Sequence, residues 1–408
     1  MMHDKSDGDR VTFCCCGIGG YAGVIIDQLL LADDRGTATL SAVCDPQLSA
    51  HAQRVEKLAE RGVRAYESLE RMLAAEPAGE AVWLPLPIHL HRPFAEQCLT
   101  AGRHVVTEKP AAGSVQDVKA MIAARDASGK KLFVGFQDIY ADSTVPVKEA
   151  LLSGAIGKVT TVSVSASWPR DLEYFSRNSW AGKLRIGDAW VLDSPLQNAL
   201  SHFVNLAMFL VGPSIDAWAE PIEVEAELYR TNAIENYDTC ALRVKLTNDV
   251  RMSVFFTHSG RENINPILDI QGSLGRLRMN EFAYTLTGRA PRVWPADSAK
   301  LARMIDSVSA AIRGRPAQSA LATLEMAQNH TVLVNAVSAA ATIHTINSQW
   351  ITETASAAST LKIVPGIEDV MRRCVENHQL PSELAVPWAK PGGATKLNGF
   401  EMFNGPAK

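Results

Sequence analysis

Short apolar runs alternate with longer stretches of mixed polarity over the first third of the chain. The runs are VTFCCC at 11–16, TLSAVC at 39–44, AVWLPLP at 81–87, HVVTEKP at 104–110 and KLFVGF at 131–136. The intervening stretches have helical character, and the first predicted helix runs from Tyr21 to Leu31. Strands that alternate with helices are typical of a parallel sheet with crossover connections. The pattern therefore predicts a doubly wound α/β domain over residues 1–137.

After Tyr140 the apolar runs follow one another without helices between them. The predicted strands are KVTTVSVSASW at 158–168 and, further on, TCALRVKL, VRMSVFFTH and GRLRMN. Successive strands joined by short turns, such as Asn248-Asp249, indicate an antiparallel sheet. An alanine-rich helical stretch from about 317 to 346 precedes a tail that contains proline and glycine. We expect residues 138–408 to form a second domain.

Length and composition agree with two soluble domains and exclude some partners. The chain has 408 residues, which is too long for one hydrophobic core. Of these residues 47% are hydrophobic and 21% are charged, which is ordinary for a soluble globular protein. Its net charge of −4 gives no global positive field to attract nucleic acid or an anionic membrane. The N-terminus, MMHDKSDGDR, is polar, and no apolar run has the length of a membrane span. We expect a cytoplasmic protein with a small-molecule partner.

Three adjacent cysteines, Cys14 to Cys16, raise the question of metal or redox chemistry. The seven cysteines of the chain are scattered and lack the paired CxxC spacing of a zinc site. Side chains that succeed one another in a strand point to opposite faces, so these three thiols cannot converge on one ion. We therefore expect buried cysteines and no metal site.

The glycines that follow carry a more specific signal. GIGGYA at 17–22 fits GxGxxA directly after a predicted strand and directly before a predicted helix, the setting of a dinucleotide-binding turn. In such a turn the first glycine allows the sharp bend, the second lets the backbone approach a diphosphate, and the helix N-terminus offers N–H donors. The cofactor-binding candidates here are Gly17, Ile18, Gly19, Gly20, Tyr21 and Ala22. The alternative is a glycine-rich connector without a ligand.

Asp45 ends the second predicted strand, where the motif requires an acidic residue. Its carboxylate can accept hydrogen bonds from both hydroxyls of an adenosine ribose, but it would repel a 2′-phosphate. Pro46 and Gln47 supply no compensating positive charge. This favours NAD over NADP as the cofactor, the alternative for Asp45 being a turn residue before Pro46.

Lys109 lies at the end of the run HVVTEKP, between Glu108 and Pro110. This places its amine at the carboxyl edge of the predicted sheet, where doubly wound folds bind their ligands. Desolvation and nearby positive charge lower the pKa of a lysine, so that it can exchange a proton with a substrate hydroxyl near neutral pH. The alternative is a solvated lysine in a loop.

These motifs together resemble the Gfo/Idh/MocA family, named after glucose-fructose oxidoreductase, inositol dehydrogenase and the rhizopine-catabolism protein MocA. The resemblance rests on GIGGYA, on Pro87 followed four residues later by His91, on EKP at 108–110, and on the strand-rich second half. It implies an N-terminal Rossmann domain, a C-terminal α/β domain with an open, mostly antiparallel sheet, and NAD(P)-dependent oxidation of sugars or cyclitols. It also implies cofactor contacts from Pro87, His91, Glu108 and Lys109, and a homodimer or homotetramer formed through the C-terminal sheet.

The family usually carries DxxxHxxD on the first long helix of its second domain, and DSPLQNALSHFVN at 193–205 is the corresponding stretch. Ser194 as N-cap, with Pro195 and Gln197 behind it, predicts the start of a helix that ends before Gly212-Pro213. In a continuous helix Asn198, His202 and Asn205 share one face, because they are spaced i, i+4 and i+7.

His202 matches the histidine of the family motif, whereas Asn198 and Asn205 stand where aspartates are usual. An asparagine side chain both donates and accepts hydrogen bonds but does not take up a proton at neutral pH. Asn198 can therefore position a substrate, which leaves proton transfer to His202 or Lys109. Asp193 lies before the cap and off this face, so it joins the site only if the loop folds back.

The loop WPRDLEYFSRNSWAGKLRIGDAW, residues 168–190, alternates aromatic and hydrogen-bonding side chains. Sugars stack on aromatic rings while their hydroxyls need polar partners, so this composition is typical of a sugar pocket. The substrate-binding candidates are Trp168, Tyr174, Arg177, Asn178 and Trp180. An arm that contacts another subunit is an equal alternative.

The sequence thus predicts an NAD-dependent oxidoreductase that oxidises a secondary hydroxyl of a sugar, cyclitol or sugar derivative. Lys109 accepts the hydroxyl proton, while His202 and Asn198 hold the reacting carbon. One alternative is a glycosidase or lyase that oxidises its sugar transiently and returns the hydride from recycled NAD. A further alternative, raised by the two missing carboxylates, is a non-catalytic NAD-binding regulator.

Overall fold

A computed structural model describes residues 10–288, 290–317, 319–356 and 359–407. The chain divides into two compact units. The first unit contains the described residues up to Ala112, Asp117–Ala141 and Ser298–Ala327; the second contains Gly113–Gln116, Asp142–Asp297 and the described residues from Gln328 onwards. No helix within the described ranges is long and apolar enough to cross a membrane.

The strands and helices of the described residues follow one another along the whole chain. The strands are β1 (Val11–Cys16), β2 (Ala38–Cys44), β3 (Arg64–Tyr66), β4 (Ala81–Leu84), β5 (His104–Thr107), β6 (Leu132–Val134), β7 (Val159–Ser167), β8 (Arg185–Ile186), β9 (Ala189–Trp190), β10 (Pro221–Arg230), β11 (Thr239–Leu246), β12 (Arg251–Thr257), β13 (Ile264–Gly272), β14 (Gly275–Asn280), β15 (Ala283–Thr287), β16 (Arg292–Trp294), β17 (Ile343–Thr345), β18 (Thr352–Ala355), β19 (Thr360–Ile363) and β20 (Gly393–Lys396). The α-helices are α1 (Gly20–Asp34), α2 (Ala52–Glu60), α3 (Leu69–Ala75), α4 (Ile88–Thr100), α5 (Val115–Ser128), α6 (Thr144–Leu152), α7 (Leu172–Ser176), α8 (Ser201–Leu210), α9 (Lys300–Ile312), α10 (Leu324–Ala340) and α11 (Ile367–Asn377). Short 3₁₀ segments lie at Leu48–His51, Gln137–Tyr140, Ser348–Trp350 and Pro381–Leu384, and a π-helical turn lies at Pro195–Ala199.

A parallel sheet with strand order β3-β2-β1-β4-β5-β6 forms the core of the first unit. All of its paired strands run in the same direction, which confirms the predicted doubly wound sheet. The strand order reverses between β1 and β4, which are neighbours in the sheet although β2 and β3 separate them in sequence. In open α/β sheets the crevice at such a reversal, beyond the carboxyl ends of the strands, is the usual ligand site.

The first unit also includes residues 298–327, which follow the strands of the second unit in sequence. Arg313, just after α9, forms an ion pair with Glu80, and the amine of Lys131 donates to the carbonyl of Ala311. Thr323 forms an isolated antiparallel bridge with Phe133 in the middle of β6. These contacts join residues 180 or more positions apart. The local pattern gave no sign of them, and the sequence therefore predicted one domain for the whole chain after residue 137.

A sheet with strand order β16-β15-β14-β13-β7-β12-β11-β10-β17 forms the core of the second unit, and β20 pairs with β10 beside β17. Among the described strands of this second sheet, only the pairs β7/β12 and β10/β17 are parallel, so the expected mostly antiparallel sheet is confirmed. On β14 and β15 buried and exposed residues alternate strictly, as they do on a sheet with one solvated face. On β12, in contrast, every residue from Met252 to Thr257 is buried, so both faces are covered there.

The C-terminal residues provide that second cover. Helix α11 packs on β7 and β12, and an apolar cluster joins it to the segment 380–389 and to the sheet. Within this cluster the rings of Trp388 and Tyr229 meet edge to face, with centroids 5.0 Å apart. The outer face of β10, β11 and β12 is therefore buried within the chain itself.

The three adjacent cysteines of β1 are buried, as expected for side chains of a central strand. The Sγ atoms of Cys16 and Cys44 lie 3.4 Å apart on neighbouring strands. Burial raises the pKa of the Cys14 thiol to about 11, so it stays protonated at neutral pH. These residues therefore fill space in the sheet, and the glycine turn after them is the better candidate for binding chemistry.

Candidate active site

The glycine turn after β1 has the geometry that its sequence predicts. Gly17 has φ +90°, which a residue with a side chain rarely adopts, and its N–H donates to the carbonyl of Cys44 at 2.6 Å. A Cβ atom on Gly17 would lie 3.1 Å from the Cβ of Ala22, so small residues are needed at both positions. This close contact fixes the start of α1 against the end of β1.

The N-terminus of α1 is open to an anionic ligand. Gly19 is the N-cap residue and has no side chain with which to cap the first N–H groups of the helix. A Cβ atom on Gly19 would lie 2.7 Å from Cε1 of His51, whereas one on Gly20 would have no neighbour within 4 Å. Tyr21 is 43% exposed. Backbone N–H groups at the end of a 15-residue helix, approached over glycines, fit a diphosphate group.

Asp45 closes the turn from the side of β2. Its Oδ2 accepts a hydrogen bond from the N–H of Ile18 at 3.1 Å, and its Oδ1 accepts one from the N–H of Gln47 at 2.8 Å. Each carboxylate oxygen can accept a further hydrogen bond, so these contacts leave capacity for ribose hydroxyls. Asp45 thus has a turn-supporting role in addition to the predicted ribose contact.

Glu108 lies buried beneath the end of β5, directly before Lys109. Its Oε1 accepts a hydrogen bond from Nε1 of Trp83 at 3.2 Å, and its Oε2 accepts one from the backbone N–H of Lys109 at 3.3 Å. Burial raises the pKa of Glu108 to about 7, although the positive charge of Lys109 acts in the opposite direction. The carboxyl group therefore titrates near neutral pH, next to the predicted proton acceptor.

Gly135 and Trp83 belong to this arrangement but were not among the predicted site residues. A Cβ atom on Gly135 would lie only 2.5 Å from Oε2 of Glu108, so a glycine is needed to make room for the carboxylate. Trp83 is fully buried in β4 and has an apolar neighbour in Phe13, 6.1 Å away between ring centroids. Both residues lie in apolar runs that read as ordinary strands, and their contacts with Glu108 depend on the pairing of β4, β5 and β6.

His91 is fully buried in α4, which begins after its N-cap residue Pro87. Its Nδ1 lies 2.9 Å from the carbonyl oxygen of Pro110, and its Nε2 lies 2.7 Å from that of Leu86. Burial lowers the pKa of this imidazole, and a neutral ring has one N–H, which it can donate to only one of the two carbonyls. His91 therefore lies between the chain after β4 and the chain after Lys109 and donates to one of them, and its predicted cofactor contact stays a prediction.

In the second unit, Asn198 lies in the π-helical turn Pro195–Ala199 rather than in one continuous helix with His202. Ser194 caps this turn as predicted, since its side chain accepts a hydrogen bond from the N–H of Gln197. The turn ends at Leu200, whose N–H donates to the carbonyl of Pro195, five residues earlier, at 2.9 Å. The i, i+4, i+7 face that we expected from the sequence is thus interrupted before α8 begins.

The loop before the π-helical turn folds back, so that Asp193 contacts Asn198. The sequence gave little support for this arrangement, because Asp193 precedes the cap and lies off the predicted helix face. Its Oδ1 accepts a hydrogen bond from Nδ2 of Asn198 at 2.8 Å, and its Oδ2 accepts one from the N–H of Gly182 at 2.7 Å. Of the other two motif positions, His202 is half-buried on α8, whereas Asn205 is fully buried within the unit. The structure thus brings a carboxylate to Asn198 from outside the family motif.

Tyr174 lies at the centre of the predicted substrate loop. The Cζ atoms of Arg177 and Arg170 lie 3.7 Å and 4.7 Å from the centroid of its ring, and the imidazole of His258 lies 5.9 Å away. Burial lowers the pKa of His258 to about 3, so this imidazole is neutral. The Cζ atom of Arg177 also lies 5.2 Å from the ring centroid of Trp180. The loop therefore combines aromatic rings with guanidinium groups, as expected, although Arg170 and His258 were not among the substrate-binding candidates.

The other two candidates in the loop have structural contacts of their own. The side-chain oxygen of Asn178 accepts hydrogen bonds from the N–H groups of Trp180 and Ala181, which is a local turn. Nε1 of Trp168 donates to the side-chain oxygen of Asn265 at 3.2 Å, which ties the start of the loop to β13. For both residues the predicted role in substrate binding stays a prediction.

Comparison with known proteins gives the family. The model for the Gfo/Idh/MocA oxidoreductase family with an NAD-binding Rossmann fold matches residues 11–136, and the model for the Gfo/Idh/MocA C-terminal domain matches residues 145–278. Together these matches cover more than half of the 408 residues. The chain belongs to the Gfo/Idh/MocA oxidoreductase family.

Individual members of the Gfo/Idh/MocA family match the chain in part. An inositol 2-dehydrogenase of Rubrobacter xylanophilus is 32% identical over 155 residues, which are 38% of this chain and 43% of that protein. A dTDP-3,4-didehydro-2,6-dideoxy-alpha-D-glucose 3-reductase of Streptomyces violaceoruber is 27% identical over 153 residues, or 38% of this chain and 44% of that protein. The chain thus matches less than half of the length of these curated relatives.

Solved structures of family members match over a greater length. The WlbA dehydrogenase from Bordetella pertussis, solved in complex with NADH and UDP-GlcNAcA, is 26% identical with a TM-score of 0.68, and the match covers 80% of this chain and 94% of that one. A levoglucosan dehydrogenase, solved with NADH and levoglucosan, shares the fold with a TM-score of 0.66 at 18% identity, over 80% of this chain and 96% of the other. The chain thus belongs, by sequence and by fold, to a family of NAD-binding oxidoreductases.

Proposed function

We propose that the chain is an NAD-dependent dehydrogenase that oxidises a secondary hydroxyl of a sugar, a cyclitol or a sugar derivative. The observation that carries this proposal is the placement of Lys109, which follows a buried glutamate at the carboxyl end of β5 in the unit that also holds the glycine turn. Support for the substrate class comes from relatives that are named for inositol and for deoxysugars linked to dTDP.

The cofactor preference follows from Asp45. The diphosphate of NAD is proposed to lie on the N–H groups at the start of α1, over Gly19 and Gly20, and the adenosine ribose against the Asp45 carboxylate. A 2′-phosphate at the same place would meet a negative charge, so NAD is favoured over NADP. When bound, NAD⁺ supplies the hydride acceptor of the oxidation.

Lys109 is proposed to take the proton of the substrate hydroxyl as the hydride leaves. The Glu108 carboxyl accepts a hydrogen bond from the backbone N–H of Lys109, and Nδ1 of the buried His91 lies 2.9 Å from the carbonyl oxygen of Pro110, the next residue. A general base placed in this way contributes on the order of 10²- to 10⁴-fold to the rate.

In the second unit, His202 and Asn198 are proposed to hold the substrate, together with the aromatic loop of Trp168, Tyr174, Arg177, Asn178 and Trp180. Apolar ring faces and fixed polar groups within one loop suit a polyol, whose carbon skeleton stacks while its hydroxyls are hydrogen-bonded. Asn198 contributes a neutral side chain, so its proposed part is to position the substrate and not to accept its proton.

The test is turnover of NAD with a carbohydrate panel by the wild-type protein and by Lys109→Ala, with Lys57→Ala on the surface of α2 as the matched control. We expect Lys109→Ala to lose at least about 10²-fold in kcat while it keeps its affinity for NAD, and the control to keep both. Near-normal turnover by Lys109→Ala would reject the assignment. Release of a sugar from glycosides without accumulation of NADH would instead favour transient oxidation, and NAD binding without any turnover would favour a regulator.

A second copy of the chain is proposed to pair through the C-terminal sheet, as the family resemblance implies. The C-terminal residues already cover β10 to β12, so the pairing surface in this proposal is the outer side of β14 to β16, where Val293 is 65% exposed. Sedimentation should then find a dimer or tetramer for the wild-type protein and a smaller species for Val293→Asp. A wild-type protein that stays monomeric at every concentration would contradict this surface.

A further inference from the structure

The backbone before the π-helical turn sends Asp193 back towards Asn198. Leu192 has φ +52°, in the left-handed region that costs a residue with a side chain of the order of 1 kcal/mol or more. The N–H of Leu192 donates to the carbonyl of Leu184, and that of Asp193 donates to the carbonyl of Lys183 at 3.0 Å. Two backbone hydrogen bonds thus hold this conformation in place.

The carboxylate of Asp193 is 4% exposed and has defined partners on both oxygens. Besides Asn198 and Gly182, Nη2 of Arg177 lies 3.9 Å from its Oδ2. A buried carboxylate is tolerated only where donors replace its water, and hydrogen bonds to an ionised acceptor are stronger than those between neutral groups. The contact with Asn198 therefore belongs to the stable part of the site.

This contact decides which way the Asn198 amide points. An ionised carboxylate can only accept hydrogen bonds, so the group of Asn198 that faces Asp193 must be its NH₂. The carbonyl oxygen then lies on the opposite side of the amide. An asparagine without such a neighbour could present either group, and only the orientation seen here presents an acceptor.

We propose that Asp193 is a positioning residue, which fixes Asn198 so that its amide oxygen accepts the hydrogen bond of a substrate hydroxyl. This inference rests on the proposed function and specifies one step of it. The family usually has an aspartate at the place of Asn198. Here the negative charge is on Asp193, which is hydrogen-bonded to Asn198, and the group proposed to accept from the substrate is the neutral amide oxygen of Asn198. Such an acceptor holds the hydroxyl without competing for its proton, which is left to a separate base.

A charge swap between the two positions tests the proposal. Asn198→Asp places two carboxylates at a contact of 2.8 Å, where they cannot both ionise without repulsion. Asp193→Asn removes the charge and leaves one acceptor for two donors, so that either the N–H of Gly182 or the NH₂ of Asn198 then faces another NH₂ group. The double variant D193N/N198D restores the hydrogen bond from Gly182 and the one between the two side chains, because Asn at 193 accepts from Gly182 and donates to Asp at 198, while the negative charge moves from position 193 to position 198. Among the described residues, Arg177 and Tyr174 on the loop interact with Asp193, and His202 lies four residues after Asn198 at the start of α8.

The expected result is a pH dependence that the double variant removes. The ratio of kcat for Asn198→Asp to kcat for the wild-type protein should fall by about ten-fold or more between pH 6 and pH 9, as the second carboxylate ionises. For D193N/N198D this ratio should stay level, and its KM should return to within a few-fold of the wild-type value. A flat ratio for Asn198→Asp, or a double variant no more active than the worse single variant, would overturn the proposal.

Two further measurements separate a positioning role from a structural one and from failure of the proposed function. If the double variant recovers the melting temperature but not kcat, the pair supports only the fold and the proposal is wrong. If the wild-type protein turns over no carbohydrate, the proposed dehydrogenase function fails. The role of the pair is then tested by calorimetric binding of myo-inositol in the presence of NADH. The wild-type protein and D193N/N198D are expected to bind more tightly than Asn198→Asp and Asp193→Asn, and equal affinities of all four proteins would refute the positioning role.

Discussion

Nε1 of Trp83 donates a hydrogen bond of 3.2 Å to Oε1 of Glu108, and so joins the buried centre of β4 to the residue before Lys109. Without this donor the carboxyl group would have one partner fewer in an apolar environment. Burial raises the pKa of Glu108 to about 7, so the residue directly before Lys109 titrates near neutral pH. The stability of the first unit should therefore depend on pH through this residue.

Glu108→Gln tests that dependence. The pKa of Glu108 rises from 4.5 to about 7 in the folded protein, so its stabilising contribution is complete below pH 4.5 and is lost as the pH rises through 7. The variant should gain stability relative to the wild-type protein over this range, by about 3 kcal/mol at most, and the difference should be constant at higher pH. Melting curves from pH 4 to 9 check this, with the exposed Glu56→Gln as control. Parallel curves for Glu108→Gln and the wild-type protein would contradict the shift.

Gly135→Ala should damage the same site by steric overlap. Its new Cβ atom would lie 2.5 Å from Oε2 and 2.7 Å from Cδ of Glu108, which Trp83 holds in place. Overpacking of this kind costs about 1–3 kcal/mol, and displacement of Glu108 should also lower kcat. If the clash is the cause, Glu108→Ala in the Gly135→Ala background should recover part of the lost melting temperature. Additive effects of the two substitutions would argue against a direct clash.

Asp45→Asn should change the cofactor preference. The amide keeps an oxygen that can accept the N–H of Ile18 but removes the negative charge that disfavours a 2′-phosphate. We expect the KM for NADP to fall and the KM for NAD to rise, so that their ratio changes about ten-fold or more. Steady-state kinetics with both cofactors measure this ratio. Asp34→Asn, on the exposed end of α1, is the control that should leave it unchanged.

Lys148→Met concerns a buried amine of the second unit. Lys148 is fully buried on α6, with its Nζ 3.8 Å from the ring centroid of Phe209, and burial lowers the pKa of the amine from 10.5 to about 7. Because the folded state disfavours the protonated form, stability should be lost as the pH falls from 10.5 to about 7. The difference in melting temperature between Lys148→Met and the wild-type protein should therefore increase in favour of the variant as the pH falls from 10.5 to about 7, and it should stay constant at lower pH. Lys57→Met, at an exposed position, should show no such trend.

Trp388→Ala tests the cover that the C-terminal residues form. The indole packs edge to face on Tyr229, and the cluster that contains both joins α11 to the sheet. Removal of a buried tryptophan should lower the free energy of unfolding by about 3 kcal/mol or more. Denaturant titration measures the loss, and Met402→Ala, at a residue that is 61% exposed, should cause little. An unchanged midpoint for Trp388→Ala would mean that the segment does not stabilise the sheet.

The sequence by itself determined the parts of this protein whose signals are local. The bend at Gly17 needs a residue that tolerates φ +90°, and a helix follows it at once, so the cofactor turn can be recognised from a few neighbouring residues. The strands of the first unit are equally legible, since buried parallel strands are nearly continuous apolar runs. The cap at Ser194 was confirmed for the same reason, because it depends on residues only three positions apart.

Only the tertiary structure decided which distant residues meet. The contact of Trp83 with Glu108 follows from strand pairing, and that of Asp193 with Asn198 follows from a left-handed residue and a π-helical turn. The return of residues 298–327 to the first unit is also a long-range contact. The local pattern of hydrophobic and polar residues indicates which face of a helix or strand is buried, but it does not indicate which other element covers that face. That choice is made by the packing of the whole chain, where the free energy of burying each face depends on all the others.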